Sequence, residues 1–285
     1  CSSDLTDCVF SSNDADHWGG GLYSKGSTST PTFFGCEFNG NLATELLAEG
    51  SGGGVCLVGS GGGLRECTFE DNESNKGAVL SLRYQYVSMT SVVLAGAYVE
   101  DCMFIGNDAS DGAGIYNIAG SLSIDACGLG GNSGKNGCGL YDTVGGLVFE
   151  DAPPQTHVFD SNFESNVATN PGLGSAKGAG LYSDGVPMAI TTTVFVLNSS
   201  QDYGGGIYLE ECEADVSESY LLYNEAEDRG GAIHIEDSTV DVELCDIRHN
   251  DADPDGNRGL GGGIWAKDTD LDIINCLLAR NNATD

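Results

Sequence analysis

Between positions 251 and 257 the chain reads Asp251-Ala252-Asp253-Pro254-Asp255-Gly256-Asn257, oxygen-bearing side chains at alternate positions around a tight-turn glycine. Oxygens at that spacing wrap a hard cation, so Asp251, Asp253, Asp255 and Asn257 are candidate ligands for a structural Ca2+. The glutamate that closes an EF-hand loop is missing, and Gly262 stands in its place. The segment is therefore a partial cage completed by water or a neighbouring segment, or else a solvated acidic loop. Carboxylates also gather at Asp14 and Asp16, Asp108 and Asp111, and Glu225, Glu227 and Asp228. Packed closely, they repel unless cations screen or bridge them.

Polysaccharide lysis or hydrolysis needs carboxylates, or calcium with a positioned Arg or Lys, in one groove. His17, His157, His234 and His249 fall at unrelated places, and Arg229, Arg248 and Arg258 have no histidine–carboxylate constellation around them. No catalytic residue is assigned and an enzyme is not expected; a lyase- or hydrolase-type enzyme is the alternative. The 11 cysteines include no C-x-x-C metal spacing, and their odd number leaves at least one thiol free or paired with another chain.

The elements that must carry these residues form a repeat. F-x-x-N occurs at Phe10/Asn13, Phe38/Asn41, Phe69/Asn72, Phe104/Asn107, Phe163/Asn166 and Phe195/Asn198. Leu or Ile replaces Phe at Leu129/Asn132, Leu221/Asn224, Ile247/Asn250 and Leu278/Asn281. The asparagines are 25 to 35 residues apart. A glycine-rich element follows each, as in Gly19-Gly-Gly-Leu22-Tyr23, Gly204-Gly-Gly-Ile207-Tyr208 and Gly230-Gly-Ala-Ile233-His234. Before each Phe-type residue, apolar residues fall at i, i+2, i+5 and i+7, for example Val240, Val242, Cys245 and Ile247. Steps of two mean strands, and the step of three is a corner. Consecutive glycines oppose helix by about 1 kcal/mol each.

The pattern predicts an all-β chain: a right-handed, single-stranded parallel β-helix of about ten rungs, one domain over residues 1–285. At ~4.8 Å per rung the rod is on the order of 45 to 50 Å long. Asn13, Asn41, Asn72, Asn107, Asn132, Asn166, Asn198, Asn224, Asn250 and Asn281 should form a structural ladder, with left-handed corner geometry open to each asparagine. That role disfavours glycosylation at the sequons of Asn72, Asn198 and Asn282. Cys8, Cys36, Cys67, Cys102, Cys127, Cys245 and Cys276 share the place two residues before the Phe-type position, where Ser161, Thr193 and Ser219 replace cysteine in three rungs. Small, inward and stackable is their common property. Neighbours such as Cys8 with Cys36 or Cys245 with Cys276 lie near disulfide range, and a ladder of free thiols fits equally.

Alternation places Tyr23, Tyr116, Tyr141, Tyr182, Tyr208 and Trp265 on the outer face, with His234 in the same row. An outward aromatic stripe could stack against sugar rings or a partner's apolar surface. The plainer reading, which the pattern favours, is rings stacking on one another along the rod.

The pairing of F-x-x-N with G-G-A-[ILV], literal at Gly230-Gly231-Ala232-Ile233, resembles the repeats of polymorphic outer membrane proteins, the chlamydial-type autotransporter passengers, and related bacterial surface β-helix proteins. The resemblance spans the whole chain. It implies an extracellular or bacterial cell-surface location and an adhesin-like passenger, or a subunit of a surface appendage. The implied partners are a receptor or glycan on a host or neighbouring cell, or copies of the chain itself; a calcium-dependent glycan-binding module is a further alternative. Both ends fall inside a repeat, so a segment of a longer protein is expected. With 43 acidic against 11 basic residues and a net charge of −32, a nucleic-acid partner is excluded. No apolar run approaches the ~20 residues that span a bilayer. The interruptions at 43–51, 81–95, 142–157 and 169–177 are the expected places for partner contacts.

Overall fold

A computed structural model describes residues 3–26, 30–44, 51–88, 91–147, 154–170, 174–253 and 259–283. Among them no residue is helical, and no helix is long and apolar enough to cross a membrane. The chain winds as a parallel β-helix of about ten rungs, each passing through four short strands. Sheet A runs from Asp4–Thr6 to Asp270–Ile274, sheet B from Val9–Ser11 to Leu277–Ala279, and sheet C from Asp14–Ala15 to Asn282–Ala283, with ten strands each. Sheet D has nine, from Leu22–Lys25 to Ile264–Lys267. Strand order in every sheet follows rung order, and neighbouring rungs pair in parallel, as where Phe69 sits between Phe38 and Phe104. We number rungs by their ladder asparagine, from Asn13 to Asn281.

Strands this short need sharp corners between them, and the backbone makes each with one residue at positive φ. In the eighth rung these are Glu211 (52°), Glu218 (50°), Tyr223 (56°) and Gly230 (67°). Glycine is compulsory at the last type of corner: a Cβ on Gly230 would lie 2.5 Å from the Ile233 carbonyl oxygen. The ladder asparagines are not the left-handed residues, contrary to the sequence reading. That geometry belongs to the residue before each, Ser12 before Asn13 and Leu197 before Asn198. The asparagine instead sits between that corner and the first residue of the next strand, with its amide buried in the inner rungs.

The interior is one continuous apolar column. Phe10, Phe38, Phe69 and Phe104 stack with centroids 4.6, 4.8 and 5.0 Å apart, close to the strand spacing that imposes the stacking. Leu129 interrupts the stack, and Phe163 and Phe195 resume it at 4.7 Å. Behind the asparagines a column of small residues, including Ala43, Ala109, Ala168, Ala226 and Ala252, fills the narrow edge of the tube. The only antiparallel pair among the described residues, Gln85–Ser88 with Ser91–Val93, leaves the coil in the third rung.

Candidate functional site

The asparagine ladder is complete within itself. Asn198 accepts on Oδ1 from the backbone N–H of Asn166 at 3.1 Å and from its Nδ2 at 2.9 Å. Its own Nδ2 donates to Oδ1 of Asn224 and to the Phe163 carbonyl, both at 2.9 Å. The pattern recurs down the column, from Asn13 donating to Asn41 through to Asn250 donating to Asn281. With two bonds to the oxygen and two from the nitrogen, an inner asparagine has nothing left for a ligand. Asn72 and Asn198 are buried, which closes their sequons, whereas Asn282 lies outside the ladder and is exposed.

The cysteine column obeys the same rule. At each corner the strand pairing breaks, and the next rung's side chain accepts the stranded N–H. Cys67 N–H donates to Sγ of Cys102 at 3.4 Å, Cys127 N–H to Oγ of Ser161 at 3.1 Å, and Cys245 N–H to Sγ of Cys276 at 3.3 Å. The hydroxyl or thiol then donates to the carbonyl two residues back, as Ser219 does to Ser217 at 2.7 Å. Cys, Ser and Thr therefore interchange because each carries a donor–acceptor one bond beyond Cβ; smallness alone does not explain the set. A second such column at the corner from D to A includes Cys212, whose N–H donates to Oγ of Ser238 at 3.0 Å. All ten described cysteines are free thiols, including the candidate pairs Cys8/Cys36 and Cys245/Cys276; Cys1 lies outside the described residues. Burial pushes the thiol of Cys56 up to about 12 and those of Cys212 and Cys245 up to about 11.

The aromatic row corrects the expectation of an exposed stripe. Tyr116, Tyr141, Tyr182, Tyr208, His234 and Trp265 do point away from the coil interior, stacked at 5.1, 4.8, 5.3, 4.6 and 4.3 Å. They are nevertheless covered: Tyr116, Tyr182, Tyr208 and His234 are at most 7% exposed, Tyr141 and Trp265 are half-buried, and only Tyr23 is exposed, at 41%. The cover is the residue before each corner glycine, which forms its own parallel ladder through Lys76, Asp111, Asn136, Lys177, Tyr203, Arg229 and Leu260. Lys177 Nζ lies 4.4 Å from the Tyr208 centroid and 3.0 Å from a Glu210 oxygen. Arg229 Cζ lies 5.0 Å from the Trp265 centroid and 5.6 Å from that of Tyr203. At the other end Tyr84, Leu94 and Leu147 pack against Tyr116, Ile118 and Ala119. The described flanks of two interruptions thus seal this row. Burial raises the phenols of Tyr141, Tyr182 and Tyr208 well above the usual range and lowers His234 to about 4, leaving its imidazole neutral at physiological pH.

Inside the coil, Asn117 and Asp142 sit on adjacent rungs of sheet D and Thr156 faces inward from sheet A, all fully buried. Desolvation raises the Asp142 carboxyl to about 7, against the hydrogen bond from Asn117.

Of the candidate calcium ligands, Asp255 and Asn257 lie outside the described residues. Asp251 accepts from Nδ2 of Asn282 at 3.2 Å, while Asp253 is buried in left-handed geometry and accepts from the Gly259 N–H at 3.2 Å. Among the described residues no three His, Cys, Asp or Glu side chains gather as a metal group. Notches interrupt the outer wall, among them one in sheet A and one in sheet B. In sheet A, Ala189 floors a cavity of about 310 Å3 between His157 and the carboxylates Glu213 and Asp215. In sheet B, Gly128 and Gly130 floor one of about 300 Å3 between Met103 and Ile105 on one side and Asn162 and Glu164 on the other.

No family model, curated protein or solved structure matches the chain.

The covering ladder and the Asn117–Asp142 pair were missed by sequence reasoning. The first had a signal, since the residue before each corner glycine is long or polar in most rungs. The second had one too, since alternation from the outward Tyr141 puts Asp142 in inward phase, as it puts Asn117 after Tyr116.

Proposed function

We propose that this chain is part of a secreted or cell-surface β-helical protein that works by presenting its outer wall, an adhesin-like passenger and not an enzyme. The observation that carries this reading is the self-sufficiency of the ladders. Each inner asparagine uses its polar groups on the neighbouring rungs, and corner side chains such as Ser238 and Ser219 accept from the rung before and donate to their own. Variation is thereby left to the outer wall, where most of the described acidic residues lie. A rod in which each rung binds only its neighbours projects an extended surface. The likeness of its motifs to the polymorphic outer membrane protein repeats supports the surface location. The acidic loop from Asp251 belongs to the same proposal as a calcium-stabilised element: chelator should lower the melting temperature, and an unchanged melting curve removes the calcium.

The test is a binding screen on arrays of glycans and extracellular proteins, run beside light scattering with and without calcium. Array binding by a monomer supports the adhesin, and self-association alone favours an appendage subunit. The His157 notch gives a polysaccharide-active enzyme its one specific support; turnover of a polyuronate that is lost in His157→Ala would establish it in place of adhesion.

A further inference from the structure

Three large apolar residues adopt positive φ: Leu197 (57°), Tyr223 (56°) and Leu244 (55°). A Cβ crowds the neighbouring carbonyl in that conformation, which glycine, asparagine and aspartate tolerate best. The first six rungs place only glycine or a small polar residue at the corner before the ladder asparagine, namely Ser12, Gly40, Asp71, Gly106, Gly131 and Ser165. In the last four rungs Leu197, Tyr223, His249 and Arg280 stand there instead. Burial does not compensate the strain, for Leu197, Tyr223 and Leu244 are 53%, 50% and 52% exposed. All three bracket one stretch of sheet B, formed by Val194–Val196, Tyr220–Leu222 and Asp246–Arg248. Tyr220 lies between them at 49% exposure, and the Tyr223 ring stacks on His249 at 4.9 Å. Within the strip, Arg248 neutralises Asp246 through two bonds of 2.5 and 2.6 Å. Exposed carboxylates stand at its margins, Glu218 and Glu243 at one and Glu225 at the other.

Strained, exposed apolar residues gathered on one face mark a surface selected for contact and not for folding. We propose that this face of rungs seven to nine docks a protein partner whose apolar centre is rimmed by Lys and Arg. The proposal rests on the adhesion reading and supplies its contact surface. Charge decides the occupant: the acidic rim on a chain of net charge −32 complements a basic rim and repels both polyanionic glycans and a second copy.

The experiment measures binding of a synthetic peptide alternating Leu and Lys to the whole chain, with Leu/Ser, Leu/Glu and all-Lys peptides as comparisons. Glycine suits these corners, so Leu197→Gly, Tyr223→Gly and Leu244→Gly should each raise the melting temperature by about 2 °C while weakening Leu/Lys binding about tenfold. Binding that falls with salt and is weaker for each comparison peptide supports the proposal. Equal binding of the Leu/Lys peptide by the glycine variants overturns it, as does preference for the Leu/Glu peptide or a melting temperature that drops in all three. Array binding that survives the glycine variants, with no peptide binding, would remove this face and leave adhesion standing. Peptide binding with no array binding would leave the face and remove adhesion.

Discussion

Asn117 donates from Nδ2 to Oδ1 of Asp142 at 2.8 Å, joining two rungs through a fully buried carboxyl. Its companion bond, to the Gly120 carbonyl at 2.7 Å, fixes the amide so that its nitrogen faces the aspartate. The ordinary aspartate value of 3.8 applies to the unfolded chain, whereas burial raises it to about 7 in the folded one. The folded state therefore holds this proton more tightly, and its contribution is fully present below about pH 4. It is lost as pH climbs through 7, at up to about 1.4 kcal/mol per pH unit. Asp142→Asn should flatten that part of the profile and make the chain more stable than the parent at pH 8. Urea unfolding at pH 5 and pH 8 measures both; identical slopes for parent and variant would remove the claim.

Position along the asparagine ladder should matter more than residue type. Asn166→Ala strands the N–H and Nδ2 of Asn132 and removes the donors to the Leu129 carbonyl and to Oδ1 of Asn198. A loss of about 4 kcal/mol is expected for so many buried groups. Asn281→Ala affects a half-buried amide in the last described rung and should cost about 1 kcal/mol. Denaturant titration of the two variants is the comparison, and equal losses would contradict the ladder's cooperativity.

Tyr141, Tyr182 and Tyr208 should resist ionisation in alkali until the coil unfolds, because burial opposes the phenolate in each. An alkaline difference spectrum should show the phenolate signal of these three appearing only with loss of circular dichroism. If all 11 tyrosines titrate together below the unfolding transition, the row is not covered.

Eight of the ten described thiols are buried, Cys8 and Cys276 being the half-buried ones. A bulky disulfide reagent should therefore label those two first and the others only with denaturant. Prompt reaction of most thiols in the native chain would argue against their inward corner positions.

Much of the coil was legible because its physics is periodic. Phe, Asn and the corner glycines recur since each rung must meet the same neighbour at the same strand spacing, and one rung's solution serves the next. Cys67, Ser161 and Thr193 also announced a shared column, although its hydrogen-bonding logic emerged only when an N–H was seen reaching the next rung's side chain. What the sequence by itself determined is the identity of the columns: which residues stack, which turn and which face in. Only the tertiary structure decided what covers them, because cover comes from residues in other strands and rungs. Tyr208 and Tyr23 occupy the same place in their motifs, yet Lys177 and its neighbours bury one while the other stays exposed. Alternation puts Asp142 inward, but the amide that receives its carboxyl there, and the strain that holds Leu197 out in solvent, are matters of packing that the repeat does not carry.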